Sequence, residues 1–261
     1  MKPNVMVEKR HGVACLTLNR PDSMNALSLL MLQELDACLR DLACDETVRV
    51  LLVTGAGQAF CAGGDLQGFK RDVENGDFAA LRYKLRYAQQ VFERLERFPV
   101  PTLAAVNGYA IAGGLELLLC CDIAIASEQA RIGDGHARYG VIPGGGSSAR
   151  LPRKIAANRA NYVLMSGELL PARQWQEWGL LIQVLPEHEL VQAAWDMAAG
   201  IAAHSPSGMR HIKSLAAGSL SMTVPQACEA ELDHFAQYAE SADFSEGLRA
   251  FMEKRRPDFS R

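Results

Sequence analysis

Residues 107–117 read Asn-Gly-Tyr-Ala-Ile-Ala-Gly-Gly-Leu-Glu-Leu and form the most informative segment of the chain. The apolar run at 102–106 before this segment predicts a strand, and the run at 115–121 is typical of a buried helix. The Asn-Gly pair predicts a turn after the strand. Gly113 and Gly114 would then open the helix, where free N–H groups and the helix dipole favour a developing negative charge.

Glu116 is the only ionisable acid between Tyr109 and Cys121. A lone carboxylate among leucines either caps a helix start or acts as a desolvated acid/base group. Capping is the usual role of a glutamate in a first helical turn, but the leucines around Glu116 favour the acid/base role. Asp122 is predicted to end the helix and hold the following turn.

Glycine has an uneven distribution along the chain. Of the 22 glycines, 14 lie in three segments, 55–68, 108–114 and 133–146. In the first of them, residues 58–66 read Gln-Ala-Phe-Cys-Ala-Gly-Gly-Asp-Leu, and adjacent glycines after a strand leave backbone N–H groups open to a cleft. A tight turn is the alternative, and these residues alone favour it. They match neither a Walker loop nor a dinucleotide-binding fingerprint.

The rest of the chain alternates short apolar runs with amphipathic segments. Strands are predicted at 13–18, 48–54, 102–106 and 123–126, and helices at 28–42 and 78–98. The nearly continuous apolar run at 48–54 predicts a strand that is covered on both faces. Helical patterns dominate beyond Pro143, and no low-complexity linker interrupts the chain. We therefore expect a strand-helix core at 1–205 with a helical appendage at 206–261.

Composition and charge exclude several classes of function. Lys and Arg number 27 against 30 Asp and Glu, and this net charge of −3 argues against binding to nucleic acid or an anionic membrane. No apolar run is long enough to span a bilayer, and charges near the start argue against a signal peptide, so a cytoplasmic protein is expected. Seven cysteines without a Cys-x-x-Cys pair are expected to be reduced and buried.

The glycine-rich segments belong to a longer series of motifs. The series comprises Asn19-Arg20-Pro21 with Asn25-Ala26-Leu27, Phe60 through Leu66, Ala105 through Asp122, Ile132-Gly133 with Gly140 through Gly146, and Gly247 through Phe259. In order and spacing, this series resembles the enoyl-CoA hydratase/isomerase (crotonase) family over nearly the whole chain. The resemblance implies an α/β fold, a crotonase-like spiral of strand-strand-helix repeats with a helical C-terminal region.

The resemblance also implies a substrate, an assembly and site residues. The substrate would be an acyl-CoA thioester of fatty acid metabolism, which brings its own coenzyme A, with no permanently bound cofactor and no metal. Residues 206–261 would support a homotrimer or a dimer of trimers. The N–H groups of Gly64 and Gly113 would form an oxyanion hole, in which one donor contributes about 3 kcal/mol. The same motifs place four residues at the substrate: Ala62, Asp65, Leu66 and Tyr139.

One position departs from the family pattern. Glu116 corresponds to the first of two catalytic glutamates in the family's hydratases, and the second is expected seven residues before Pro143, where this chain has His136. Imidazole both accepts and donates a proton near pH 7, so His136 can replace the carboxylate. The alternative is a loop histidine with a structural hydrogen bond. Asp134 and Tyr139 are candidates to orient it or to line the pocket.

The favoured activity is hydration of a 2-enoyl-CoA by a Glu116–His136 acid/base pair. Hydrolytic carbon–carbon cleavage of a β-diketone or ring ketone is the first alternative, because some relatives of that type place a histidine in this loop. Those relatives also use an acid directly after the Pro-Gly pair, where this chain has Gly145. Double-bond isomerisation is a weaker alternative, because family isomerases depend on a carboxylate at position 136. A catalytically silent RNA-binding or scaffold relative is the last.

Two further segments are linked to the substrate. Segment 67–87 is expected to form a lid over the acyl group. By resemblance, Lys254-Arg255-Arg256 would contact the adenine or phosphates of CoA near a subunit boundary. A solvated helix end is the alternative for this basic run.

Overall fold

The structure is a computed structural model that describes residues 2–259. Within these residues the chain forms a six-stranded and a four-stranded β-sheet. The larger sheet has the spatial order β1 (Val5–Arg10), β2 (Val13–Leu18), β3 (Val50–Gly55), β5 (Thr102–Val106), β7 (Ile123–Ser127) and β10 (Gln183–Leu185). The smaller sheet has the order β4 (Ala59–Cys61), β6 (Tyr109–Ile111), β8 (Arg131–Gly133) and β9 (Leu170–Pro171).

Successive strands alternate between the two sheets. β3 is followed by β4, β5 by β6 and β7 by β8, and within each sheet these strands are parallel neighbours. Each turn of the chain therefore adds one strand to each sheet, and a helical segment follows each pair of strands. The predicted spiral of strand-strand-helix repeats is confirmed.

Strand β3 joins two hydrophobic cores, as its continuous apolar sequence predicts. Leu51 and Val53 pack into the main core, whereas Val50 and Leu52 pack with the helix α8 (Glu187–Ala202). Alternate side chains of a strand point to opposite faces of the sheet, so one strand can serve both cores.

The predicted helices are present, with small shifts at their ends. α1 (Leu29–Ala43) begins after Ser28, whose hydroxyl accepts a hydrogen bond from the Met31 N–H at 3.2 Å. α4 (Gly113–Leu119) begins two residues before the apolar run, so its first turn contains the glycine pair. The remaining helices before α8 are α2 (Leu66–Glu74), α3 (Phe78–Glu96), α5 (Ser147–Lys154), α6 (Ala157–Ser166) and α7 (Ala172–Glu177).

Three helices form the C-terminal region, α9 (Pro206–Ser219), α10 (Val224–Ala239) and α11 (Ala242–Met252). Ser205 caps α9, because its hydroxyl accepts a hydrogen bond from the Gly208 N–H at 2.8 Å. None of the described residues of α10 is buried, and Leu232 and Phe235 of this helix are 64% and 57% exposed. The role of residues 206–261 in assembly stays a prediction.

All seven cysteines are free thiols, but they are not all buried. Burial raises the pKa of Cys61 and of Cys121 to about 12. The expectation of burial is wrong for Cys44, at the C-terminal end of α1, and for Cys228, on the uncovered helix α10. Cys38 is only partly buried. No helix within residues 2–259 has the length and apolar character needed to cross a membrane.

Candidate active site

A cavity of about 750 Å³ is lined by residues from all three glycine-rich segments. Helix α3 gives it an apolar wall through Leu81, Leu85 and Phe92. Glu116 and His136 also line the cavity. The fold therefore brings the carboxylate and the imidazole that the sequence predicts as a pair to one cavity.

Glu116 lies in the first turn of α4 and is only 3% exposed. It does not cap its own helix; instead its Oε1 accepts hydrogen bonds from the N–H groups of Gly145 at 2.7 Å and Ser147 at 3.2 Å. Its Oε2 forms no hydrogen bond within residues 2–259. Every side-chain oxygen or nitrogen in that range that is fully shielded from solvent has a hydrogen-bond partner. Because Oε2 has no partner, it is not fully shielded, and it is accessible from the cavity that Glu116 lines.

The close approach of Gly145 to Glu116 leaves no room for a side chain at position 145. A Cβ on Gly145 would lie 2.5 Å from Glu116 Oε2 and 2.6 Å from Phe92 Cε2. Gly114 is constrained in the same way, because its Cβ would lie 1.9 Å from the carbonyl oxygen of Cys61. An acidic side chain at position 145 would displace the Glu116 carboxylate.

His136 opens a 3-10 turn, His136–Tyr139, in the third glycine-rich segment. Its Nδ1 lies 2.9 Å from Oδ2 of the fully buried Asp134, and an ionised carboxylate can only accept, so Nδ1 carries the hydrogen. Nε2 has no hydrogen-bond partner in the described part of the chain and is accessible from the cavity. Tyr139 is 82% exposed, so Asp134, rather than Tyr139, orients the imidazole.

Opposing effects act on the pKa of His136. Burial alone would lower this pKa, because it disfavours the charged form. The hydrogen bond to Asp134 and the negative charges of Asp134 and Glu116 outweigh burial, and they hold the pKa of His136 above its ordinary value. The surroundings of His136 therefore favour its protonated form.

Ser147 connects the two halves of the site. Its hydroxyl donates to Asp134 Oδ1 at 2.6 Å, while its N–H donates to Glu116 Oε1. Ser147 is the first residue of α5 and is fully buried. The sequence reasoning missed this residue, and the only signal for it is a serine that follows three consecutive glycines.

The N–H groups of Gly64 and Gly113 lie close together beside the cavity. A Cβ placed on Gly113 would lie 3.4 Å from the Gly64 nitrogen. Neither of the two N–H groups donates a hydrogen bond to residues 2–259. Ala112, just before Gly113, has a φ of 51° and a ψ of −115°, a conformation that strains a residue with a Cβ. Its N–H donates to the Gly133 carbonyl at 3.0 Å, so the neighbouring strand holds this turn in place.

The four residues predicted to contact substrate all line the cavity: Ala62, Asp65, Leu66 and Tyr139. Asp65 also caps α2, because its carboxylate accepts a hydrogen bond from the Gly68 N–H at 3.2 Å. Leu66 and Tyr139 are largely exposed. These two side chains therefore lie at the mouth of the cavity.

The predicted lid segment, 67–87, forms most of α2 and the first half of α3. Phe69 and Leu85 line the cavity from this segment. Tyr87 instead lies 3.3 Å from Asp36 of α1 and donates a hydrogen bond to its carboxylate. The segment thus supplies part of the cavity wall, and its second half is attached to α1.

The basic run near the C-terminal end is partly engaged within the chain. Arg255 forms ion pairs with Glu246 and Glu253, both at 2.6 Å. Together with Arg249, Arg255 holds the pKa of the Glu246 carboxyl well below its usual range. Arg255 is therefore committed to Glu246, which disfavours the contact with CoA that the resemblance implies for this residue.

The site as a whole combines two unused N–H donors, a buried carboxylate and an imidazole around one largely apolar cavity. Such a site is suited to stabilising an enolate oxygen and moving protons next to it.

The comparisons identify the family. Residues 8–261 match the enoyl-CoA hydratase/isomerase family, and the chain belongs to that family. It is 35% identical to the 2,3-dehydroadipyl-CoA hydratase of Escherichia coli (strain K12), over 98% of both chains. It is 36% identical to the 1,2-epoxyphenylacetyl-CoA isomerase of the same organism, over 97% of this chain and 96% of that one. The crystal structure of an enoyl-CoA hydratase from Bacillus anthracis has a TM-score of 0.93 at 34% identity and covers 98% of both chains.

Proposed function

We propose that the protein adds water reversibly to a 2-enoyl-CoA thioester. The observation that carries this proposal is that Glu116 Oε2 and His136 Nε2 are accessible from one cavity, beside the unused N–H groups of Gly64 and Gly113. Hydration requires a base for water, an acid for carbon and donors for the enolate oxygen. Relatives that carry the name enoyl-CoA hydratase support the same reaction class.

The proposed reaction has two proton transfers. The thioester carbonyl accepts hydrogen bonds from the N–H groups of Gly64 and Gly113. Glu116 Oε2 takes a proton from water, the water oxygen bonds to Cβ, and the double-bond electron pair moves to the carbonyl oxygen as an enolate. The enolate then collapses, and Cα takes a proton from His136 Nε2. Transfer of one proton from Glu116 to His136 through solvent restores the starting state.

The surroundings of the two groups support this division of roles. The surroundings of His136 hold its pKa above the ordinary value, which favours the protonated imidazole that this step requires. Glu116 accepts two N–H donors on Oε1 and leaves Oε2 to accept a proton. In the reverse direction the two groups exchange roles and dehydrate a 3-hydroxyacyl-CoA.

The cavity lining supports an acyl-CoA thioester as the substrate. Leu81, Leu85 and Phe92 offer an apolar wall to the acyl chain. Arg71 and Arg138 also line the cavity and are exposed, and guanidinium groups there suit the phosphates of a CoA moiety outside the mouth.

Hydration of crotonyl-CoA is the direct test. Loss of the enoyl thioester absorbance with formation of 3-hydroxybutyryl-CoA supports the proposal. No reaction with several thioesters, alongside cleavage of a free β-diketone, would favour carbon–carbon hydrolysis, although Gly145 leaves no space for the acid of that mechanism. Double-bond migration in a 3-enoyl-CoA without hydration would assign an isomerase. RNA binding without any of these activities would indicate a silent relative.

The proposal includes assembly as a trimer or a dimer of trimers in the cytoplasm, with a role in fatty acid metabolism. Exposed apolar side chains on the C-terminal helices support the assembly, including Phe251 and Met252, which are 80% and 79% exposed. Light scattering coupled to size-exclusion chromatography tests it. A monomer of 28.5 kDa at micromolar concentration would contradict it.

A further inference from the structure

Ser147 is hydrogen-bonded directly to Glu116 and is linked to His136 through Asp134. Its N–H donates to Glu116 Oε1 at 3.2 Å, and its hydroxyl donates to Asp134 Oδ1 at 2.6 Å. Asp134 Oδ2 in turn accepts a hydrogen bond from His136 Nδ1 at 2.9 Å. A continuous chain of hydrogen bonds therefore runs from Glu116 through Ser147 and Asp134 to His136.

The Asp134 carboxylate depends on these donors. It is fully buried, and a buried charge is tolerated only when it is hydrogen-bonded. Ser147 Oγ and His136 Nδ1 are its side-chain donors within residues 2–259, one on each oxygen. The Ser147 hydroxyl fixes the plane of the carboxylate, and that plane fixes the imidazole ring, because Nδ1–H must point at Oδ2.

The Ser147 hydroxyl has no competing role as a helix cap. Gly146 is the residue at the N-terminal cap of α5, and no side chain caps this helix. The next residue, Ser148, is exposed and its hydroxyl forms no hydrogen bond with the described residues. Ser148 therefore provides a matched control for the loss of a hydroxyl in the same helical turn.

We propose that Ser147 is a positioning residue whose hydroxyl holds the Asp134 carboxylate so that His136 Nε2 stays aligned with Glu116 across the cavity. This role rests on the proposed function of His136. The contact itself can be tested without substrate, so the failure of one proposal is distinguishable from the failure of the other.

The first test is an NMR titration of the His136 imidazole in the whole protein. Asp134 and Glu116 are the charged groups that act on this ring, while Arg138 and Tyr139 of the same turn are exposed. In Ser147→Ala the carboxylate loses a donor, so it should attract the imidazole proton more strongly. We expect the midpoint to rise by about half a pH unit or more, whereas Ser148→Ala should leave it unchanged. An unchanged midpoint in Ser147→Ala would overturn the proposal.

The second test is kinetic and uses crotonyl-CoA. Ser147→Ala should lower kcat by about tenfold, as expected for a lost hydrogen bond to a charged group, while KM stays within a factor of two. Ser147→Thr, which keeps the hydroxyl, should recover most of kcat. If the Ser147→Thr protein does not fold, the effect of Ser147→Ala is measured instead in a protein that already carries Asp134→Ala. In the Asp134→Ala protein, adding Ser147→Ala should not lower kcat further. A full additional tenfold loss of kcat would overturn the proposal. If Ser147→Ala shifts the titration midpoint of His136 but the wild-type protein hydrates no thioester, the result would support the positioning role of Ser147 and refute the proposed function.

Discussion

Replacing Gly145 with alanine should strongly reduce activity, although Gly145 has no side chain that could take part in the reaction. Gly145 donates its N–H to Glu116 Oε1 at 2.7 Å, so the backbone at this point lies against the carboxylate. The added methyl group would point at Glu116 and Phe92. Gly145→Ala therefore tests whether the placement of the Glu116 carboxylate controls the rate.

The contact distances set the expected size of the effect. The alanine Cβ would meet Glu116 Oε2 at 2.5 Å and Glu116 Cδ at 2.8 Å, whereas ordinary van der Waals contact begins at 3.4 Å. The carboxylate oxygen must retreat by about 0.9 Å to go from 2.5 Å to 3.4 Å. A misplacement of about 1 Å costs on the order of 100-fold in rate, so we expect kcat to fall by about that factor.

Steady-state hydration of crotonyl-CoA measures this effect, and thermal unfolding shows that the variant is folded. Gly144→Ala is the control, because its Cβ would meet only Leu85, at 3.0 Å from the mobile tip of that side chain. Its kcat should therefore fall far less than that of Gly145→Ala. A folded Gly145→Ala protein with the wild-type kcat would refute the reasoning, because Glu116 would then tolerate displacement.

Three further predictions concern acid/base catalysis, pH dependence and stability. Glu116→Gln should lower turnover of crotonyl-CoA at least 100-fold, the usual contribution of a general acid/base, and unchanged turnover would exclude that role. Asp134→Asn removes the charge and the charge-assisted hydrogen bond of Asp134, which raise the pKa of His136, and leaves burial opposed only by the charge of Glu116. The hydration rate should therefore fall at a lower pH than in wild type, and an unchanged alkaline side of the pH–rate profile would contradict this. Asn25 is fully buried, and its amide donates to two backbone carbonyls at 2.7 and 3.0 Å. Asn25→Ala should therefore lower the free energy of unfolding in urea by about 3 kcal/mol, and a loss below about 1 kcal/mol would contradict the structure.

The fold follows closely from local patterns in the sequence. The apolar run at 48–54 predicts a doubly covered strand because side-chain alternation and burial are local properties, and β3 confirms it. Helix ends were less predictable. The apolar run at 115–121 predicts a helix that continues to Cys121, whereas α4 ends at Leu119. Its start at the glycine pair agrees with the sequence, and Gly114 is required there because the carbonyl of Cys61 approaches too closely for any side chain.

The candidate site is predictable in its residues but not in its connections. Glu116 stands out as an acid among leucines, and His136 by its position in a motif. The contact of Ser147 with Asp134 spans 13 residues and depends on how α5 packs against the strand ends, which no local pattern encodes. The exposure of Cys44 and Cys228 was misjudged for a related reason, since an apolar sequence neighbourhood does not determine which face of a helix is covered.

The central claim is that Glu116 and His136 act as one acid/base unit on an enoyl thioester. The most direct test is the kcat for crotonyl-CoA hydration in wild type, Glu116→Gln, His136→Gln and the double variant. Groups that act as a unit are strongly non-additive, so each single variant should lose at least 100-fold and the double variant little more than either. A His136→Gln protein that hydrates crotonyl-CoA at the wild-type rate, or a double variant whose loss is the product of the two single losses, would contradict the account.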